Sequence, residues 1–196
     1  MKKIKEIRQF LEMAEGENIL RRYFVMNGFD GALTAFGIIL GSWIASNYSE
    51  PRTLILAGIG ASIAMGVSGF WIAFLTERAE RTRETKELEE QMVADLDNTI
   101  VTKANFWTAV VVAFVDGISP FIFSVFAILP FLFVFVGLEM LTAYIISTAI
   151  VTVEVLVLGF FLGEVSKENK FLYALKIIPA ALLVALLTYL LGLLTR

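Results

Sequence analysis

Long apolar runs separated by short charged stretches dominate the chain. A helix that crosses a bilayer needs about 20 mainly apolar residues. Four runs reach that length, at residues 23–46, 53–76, 138–163 and 171–194. Each is therefore expected to form one membrane-spanning helix.

A fifth apolar run, residues 105–136, is too long for one untilted span. It contains Pro120 and Pro130, which remove helical hydrogen bonds and favour kinks. We expect one span that ends near Leu129, followed by an apolar, partly irregular turn. The pattern predicts an all-α polytopic membrane protein with five transmembrane helices. A sixth segment would require residues 131–136 to re-enter the membrane.

The polar stretches divide this plan into regions. Residues 1–22 alternate apolar and charged positions at helical spacing, which predicts an amphipathic helix lying at the membrane surface. Residues 23–76 would hold the first two spans, and residues 104–196 the last three. Between them, residues 77–103 form a charged loop with a helical pattern.

Composition agrees with a membrane protein and narrows its function. Hydrophobic residues make up 58% of the chain and charged residues 18%, against about 45–50% and about 25% in soluble domains. The net charge of −3 gives no basic excess for nucleic acid. The chain has no Cys and no His, which removes disulfides, thiol nucleophiles and His-dependent catalysis. We therefore expect a protein that is not an enzyme.

Lysine and arginine counts predict the orientation. The N-terminal segment, the 77–103 loop and the loop near residue 168 together hold thirteen of these cations, whereas the opposite side holds only Arg52 and Arg196. Cytoplasmic loops carry the excess of Lys and Arg. We expect a cytoplasmic N-terminus and a C-terminus on the outer or lumenal side.

Ionisable residues inside the spans are the first candidates for function, because each costs about 2.5 kcal/mol or more near the bilayer centre. Asp30, Asp116 and Glu154, with the thioether of Met65, lie about 10 to 16 Å from the cytoplasmic ends of their spans. Lys176 lies about 8 Å from the end of the last span and could offset part of the charge. Alternatively, Asp116 or Glu154 simply pairs with Lys176 or bonds to the backbone.

Small residues surround these positions. Two Asp-Gly stretches, residues 27–31 and 116–120, contain residues that loosen a helix and would free carbonyl oxygens to bind a cation. Small residues also recur every four positions in the first two spans, which is typical of close helix packing or of a dimer seam. They are Gly37, Gly41, Gly58, Ser62, Gly66 and, in a second row, Gly60, Ala64 and Ser68.

The 77–103 loop carries four carboxylates at helical spacing. Glu77, Glu80, Glu84 and Glu87 would share one helix face, a pattern that can capture a cation. The alternative is a solvated helix whose acidic and basic residues pair along its surface. Such pairs would be Glu77–Arg81, Arg83–Glu87 and Lys86–Glu90.

Three short segments resemble the vacuolar iron transporter family of divalent-metal/proton antiporters. Residues 29–34, Phe-Asp-Gly-Ala-Leu-Thr, resemble the family's Asp-Gly-Leu-Val-Thr motif, and residues 61–66 resemble its Ala-Leu-Ser-Met-Ala segment. Residues 188–192 resemble the ending of the last span. The short loop resembles the reduced, nodulin-like branch. The chain has Ser-Gly-Phe at residues 68–70, where the family has Gly-Glu-Tyr.

The resemblance implies roles for particular residues. It implies that Asp30 and Met65 line a metal path and that the loop glutamates capture metal on the cytoplasmic side. Carboxylate oxygens suit hard divalent ions, and a Met sulfur disfavours Mg²⁺ and Ca²⁺. We therefore expect a homodimeric transporter that exports Fe²⁺ or Mn²⁺ from the cytoplasm in exchange for protons, with no permanent cofactor. The exchange is assigned to Asp30 and Asp116, with Met65 selecting the metal. The alternative is a non-transporting scaffold or sensor whose acidic loop binds a partner.

Overall fold

The computed structural model describes residues 16–45, 50–93, 95–96 and 99–194, and no strand occurs in these ranges. The helices are α1 (Gly16–Ala45), α2 (Pro51–Met92), α3 (Ile100–Ile128), a 3₁₀ helix (Leu129–Val136), α4 (Met140–Ser166) and α5 (Lys170–Leu194). Five segments are long and apolar enough to cross a membrane, counting α3 together with its 3₁₀ continuation. The fold class predicted from the apolar runs is confirmed to that extent.

The predicted surface helix over residues 1–22 falls mostly on residues 1–15, which lie outside the described residues. Residues 16–22 form the first turns of α1. The amphipathic helix therefore stays a prediction.

Helix α2 joins the second span and most of the charged loop into one element. Its 42 residues correspond to a length of about 63 Å, twice the bilayer's hydrocarbon thickness of about 30 Å. Its composition changes from apolar to charged at Glu77, so residues 77–92 continue the span as a polar helix. The end of α2 thus carries all four loop glutamates.

Both Asp-Gly stretches are continuous helix, so the predicted loosening of the backbone is wrong for these positions. Close packing explains their glycines. A β-carbon on Gly31 would collide with the backbone of Pro120, and one on Gly117 would lie 2.5 Å from the carbonyl oxygen of Gly66. Pro120 itself lies inside α3 without ending it. The glycines therefore allow neighbouring helices to approach, rather than interrupting their own helix.

The chain divides into two compact units. The described part of the first unit comprises residues 16–24, 66–93, 95–96 and 99–118. The second unit comprises residues 25–65 and 119–194, apart from the stretch 46–49 outside the described ranges. Each unit is described by itself below.

The second unit contains an apolar core centred on Tyr144 of α4. The Tyr144 ring is fully buried, stacks on Trp43 with centroids 5.2 Å apart and meets Phe131 edge-on at 5.0 Å. Its hydroxyl lies 2.9 Å from the Ser42 hydroxyl, so the polar tip is satisfied. These contacts hold the 3₁₀ helix and α1 against α4. Other core residues are Ala32, Ala35, Ile39, Leu54, Ile128, Val151 and Val155.

Helices α4 and α5 form a tight hairpin in the same unit. A β-carbon on Gly159 would lie 2.6 Å from the Cα atom of Ala174, so the two backbones are in contact there. Lys167 ends α4 in the left-handed conformation (φ 56°). The Asn169 side chain accepts hydrogen bonds from the backbone N–H groups of Phe171 (3.0 Å) and Leu172 (3.4 Å), which caps α5.

Candidate functional site

In the second unit, contacts between helices fix the level of Asp30 and Met65. Gly31 touches Pro120, and the Ser124 hydroxyl donates to the Gly31 carbonyl oxygen at 2.8 Å. Asp30 on α1 is therefore level with the Pro120 region of α3. Gly58 of α2 touches Ile128, and α2 and α3, as successive spans, run in opposite directions. Met65 lies seven residues further along α2 and is therefore level with the same region of α3.

Helices α4 and α5 bring two more candidates to this level. Gly37 and Gly41 of α1 face Val184 and Thr188 of α5, which aligns Asp30 with residue 177. Gly159 faces Ala174, and the two helices of this hairpin are antiparallel, so Glu154 aligns with residue 179. Asp30, Glu154 and Lys176 thus lie within about one helical turn, about 5 Å, of one another in depth.

The side chains at this level differ in burial. Asp30 is exposed, whereas Met65 and Glu154 are half-buried. The Glu154 Oε2 atom is buried and has no hydrogen-bond partner within the described ranges, and the same holds for the hydroxyls of Ser147 and Thr148 on the same helix. Ser147 and Glu154 are seven residues apart and therefore share one face of α4. Buried polar oxygens without partners are rare in folded proteins.

Lys176 does not form the ion pair that was its alternative role with Glu154. Its Nζ atom lies 4.6 Å from the centroid of the Tyr173 ring. The ion pairs that join described residues include none between Lys176 and Glu154. Lys176 is exposed, so it lies at the level of the carboxylates without touching the one on α4.

Asp116 belongs to the first unit, where it is buried with 4% exposure. A β-carbon on Gly69 would lie 2.7 Å from the Asp116 Oδ2 atom and 3.4 Å from its main-chain oxygen. A larger residue at position 69 would therefore press against this carboxylate and force its side chain to move. In a regular helix the main-chain carbonyl of Asp116 would accept a hydrogen bond from the N–H of residue 120, but residue 120 is a proline and has no N–H.

A polar network occupies the charged end of the first unit. Glu77 and Arg81 are both buried and pair across one turn of α2, with Nε and Oε2 3.7 Å apart. The Tyr23 hydroxyl donates to Glu77 at 3.3 Å, and Arg81 donates to the Asn105 side-chain oxygen at 3.4 Å. Asn105 in turn donates to the Thr85 hydroxyl at 3.1 Å. Glu77 is therefore part of a structural network.

The other three loop glutamates face solvent. Glu80, Glu84 and Glu87 are exposed, and Glu87 pairs with Arg83 at 2.9 Å. The four glutamates share one helix, but only Glu77 is buried. Across the part of the chain that the structure describes, no three Asp or Glu side chains converge closely enough to hold a metal ion. Capture of metal by these glutamates stays a prediction.

Several residues of these sites were not among the sequence candidates. Ser147 and Thr148 carried a signal, since hydroxyl residues one or two turns from an intramembrane carboxylate indicate a polar face. Tyr23 and Asn105 carried none, because their partners lie on other helices, far away in the sequence. Arg81 was expected to pair with Glu77, and this pair is present.

The described part of the chain is all-helical and contains five segments that are long and apolar enough to span a membrane. The chain is 33% identical over 171 residues to the uncharacterized protein MJ0645 of Methanocaldococcus jannaschii, and the match covers 86% of both chains. It belongs to the same family as that archaeal protein. No family model matches the chain.

Proposed function

We propose that this protein is an integral membrane transporter that exports Fe²⁺ or Mn²⁺ from the cytoplasm in exchange for protons. The proposal rests on the intramembrane residues of the second unit and on the resemblance of residues 29–34 and 61–66 to the vacuolar iron transporter family. The similarity to the archaeal protein supports membership of a common family and gives no support for a particular substrate.

The observation that carries the proposal is the level shared by Asp30, Met65 and Glu154, together with the partnerless Oε2 atom of Glu154. A carboxylate that served only to fix helix packing would be expected to have a hydrogen-bond or ion-pair partner. A carboxylate that exchanges ligands must instead keep an oxygen available for them. Ser147 and Thr148 offer further oxygens on the same helix.

The residue types fit a dication that alternates with protons. Asp30 and Glu154 would hold the metal through oxygen, and Met65 would add a softer contact that favours transition metals over Mg²⁺ and Ca²⁺. Protons and metal compete for the same carboxylate oxygens, so binding of one releases the other. Asp116 would add charge in the first unit. The exposed Glu80, Glu84 and Glu87 would gather metal at the cytoplasmic end of α2.

Orientation and assembly belong to the same proposal. The excess of Lys and Arg at the N-terminus and in the 77–103 loop supports a cytoplasmic N-terminus and an outer or lumenal C-terminus. A homodimer seam would lie along Gly60, Ala64 and Ser68, which are exposed, with no atom within 4 Å of a β-carbon placed on Gly60. The chain has no Cys, so disulfide formation by Gly60→Cys in membranes tests this seam cleanly.

The decisive experiment is metal uptake into proteoliposomes that contain a metal dye and a pH dye. Wild type is compared for Fe²⁺, Mn²⁺, Co²⁺, Zn²⁺ and Mg²⁺, and then with Asp30→Asn and Glu154→Gln. We expect selective uptake of Fe²⁺ or Mn²⁺ with coupled proton efflux, and a loss of at least about tenfold in each variant. Met65→Leu should reduce the ratio of Fe²⁺ or Mn²⁺ uptake to Mg²⁺ uptake.

Glu164→Gln is the matched control. Glu164 lies ten residues further along α4, is exposed and pairs with Lys170, so this variant should transport normally. Unchanged flux in both Asp30→Asn and Glu154→Gln would remove the second unit's carboxylates from the mechanism.

A second candidate is a scaffold or sensor that binds a partner through the polar part of α2. It is favoured by the exposure of Glu80, Glu84 and Glu87 on a helix that extends beyond the apolar layer. Absence of flux for every ion from well-folded protein would favour this candidate. Charge reversal at these three glutamates would then abolish partner binding and leave stability unchanged.

A further inference from the structure

The first unit contains a cavity whose lining includes none of the candidate residues inside the predicted spans. It has a volume of about 340 Å³ and lies between the polar part of α2 and the beginning of α3. Small-molecule sites in proteins have volumes of about 300 to 1,000 Å³. Its charged lining residues are Arg78, Arg81, Lys86 and Glu89. The cavity is therefore large enough for a ligand and has more positive than negative lining.

The ion pairs of this helix leave two of the cavity's cations without a carboxylate. Arg81 is matched by Glu77, and outside the cavity Arg83 is matched by Glu87. Lys86 was expected to pair with Glu90, but neither Lys86 nor Arg78 takes part in an ion pair with any residue in the described ranges. Both of these cations line the cavity.

The neutral lining does not compensate this charge. The Thr82 hydroxyl donates to the Arg78 carbonyl oxygen at 2.7 Å, and the Thr85 hydroxyl donates to the Arg81 carbonyl oxygen at 2.8 Å. The carboxylate of Glu89 already accepts a hydrogen bond from the Leu96 N–H at 3.0 Å. Glu89 keeps its negative charge, so the lining holds three cations and one anion, and the cations that no carboxylate in the described ranges pairs with are Arg78 and Lys86.

The cavity lies where the apolar spans end. Arg78 follows the last apolar turn of α2, and its guanidinium carbon is 6.0 Å from the ring centroid of Phe74 and 5.4 Å from that of Phe106. These rings fix the guanidinium at the edge of the apolar layer. The headgroup region of a bilayer begins at this edge and extends about 5 to 8 Å further.

We propose that this cavity binds a phosphate-bearing anion through Arg78 and Lys86. A guanidinium presents several N–H donors that match the oxygens of a phosphate, and an ammonium adds a compact positive charge. The Glu77–Arg81 pair and Asn105 hold the cavity wall in place. The phosphate group belongs either to an anionic lipid headgroup or to a soluble ion, and the site is independent of metal transport.

The test uses the purified full-length chain in non-ionic detergent. Native mass spectrometry measures binding of phosphatidylglycerol and of phosphatidylcholine, and thermal unfolding measures binding of inorganic phosphate and pyrophosphate. The variants are Arg78→Gln, Lys86→Gln and their combination. The matched control is Arg83→Gln, which removes a cation of the same helix that does not line the cavity.

We expect at least one phosphate-bearing probe to bind wild type, with affinity reduced about tenfold in each single variant and unchanged in Arg83→Gln. Preference for phosphatidylglycerol over phosphatidylcholine, without stabilisation by phosphate, assigns the site to a lipid headgroup. Stabilisation by phosphate or pyrophosphate assigns it to a soluble anion. An equal loss in Arg83→Gln, or no binding of any anionic probe to folded wild type, would overturn the proposal.

Discussion

The two units differ in how most of their buried polar groups are bonded. In the first unit, Glu77, Arg81, Asn105 and Thr85 bond to one another, and the Tyr23 hydroxyl joins them. In the second unit, Ser147, Thr148 and Glu154 keep buried oxygens without a hydrogen-bond partner in the described part of the chain, whereas in the first unit the Thr108 hydroxyl is the buried oxygen in that state. Packing in the second unit comes instead from apolar side chains around Tyr144 and from glycines at helix contacts.

This difference distinguishes polar groups that stabilise the fold from polar groups that are candidates for function. Substituting a buried polar group that has a hydrogen-bond partner lowers the stability of the fold, because the partner is left unsatisfied. Burying a polar group without a hydrogen-bond partner lowers the stability of the fold, so a structural role does not explain such a group. We therefore expect substitutions in the Glu77–Arg81 network to affect stability, and substitutions of Glu154 and Thr148 to affect transport.

The largest effect is expected from breaking the buried ion pair of the first unit. Arg81→Ala leaves the Glu77 carboxylate buried without its cation and should lower the free energy of unfolding by about 3 kcal/mol. Arg83→Ala removes an exposed pair of the same spacing and should leave the free energy of unfolding nearly unchanged. Unfolding in mixed detergent micelles, followed by tryptophan fluorescence, measures both. Equal effects would show that the network is not structural.

A smaller loss is expected where the second unit packs most closely. Gly31→Ala places a methyl group against the Pro120 backbone, which cannot move aside, and should destabilise by about 2 kcal/mol. Gly60→Ala adds the same methyl group where no described atom of the same chain lies within 4 Å, so within one protomer it should stabilise by up to about 1 kcal/mol through helix propensity. A loss of stability in Gly60→Ala would instead support the proposed dimer seam. The same unfolding assay gives both values. Tolerance of alanine at position 31 would mean that α1 and α3 are less tightly packed than described.

The smallest effect compares two threonines. Thr85→Val removes a hydroxyl that accepts a hydrogen bond from Asn105 and should cost about 1 kcal/mol. Thr148→Val removes a hydroxyl without a partner among described residues and should leave stability unchanged or raise it. Under the transport proposal, Thr148→Val should nevertheless slow metal uptake in proteoliposomes. A stability loss as large as that of Thr85→Val would instead make Thr148 a structural residue.

Much of the fold was predictable because hydropathy acts locally. Apolar runs of sufficient length predicted the five spans. The segment expected to be partly irregular after Leu129 is instead a 3₁₀ helix, which ends at Gly137 with a φ of 104°. The effect of Pro120 was harder to predict. A proline removes one hydrogen bond, but whether the helix ends there depends on what packs around it, and α3 continues.

The candidate site was predictable in depth but not in its contacts. Counting residues from the span ends placed Asp30 and Glu154 at similar depths, since a helix rises by a constant distance per residue. Spacing alone did not predict that Lys86 and Glu90 form no ion pair, because residues four apart on a helix are close enough to form one. Which faces meet depends on packing between helices that are distant in the sequence, and spacing within one helix does not contain that information.

The α4–α5 hairpin has a consequence for how the protein is made. Its glycine contacts and its capped turn join residues that are close in the sequence, so the pair can form as soon as both helices have left the ribosome. Formed in this way, the two spans would enter the bilayer together, and the Asn169 turn would determine their spacing before α1 is contacted. Mutations in that turn should therefore reduce the yield of inserted protein more than the stability of the molecules that do insert.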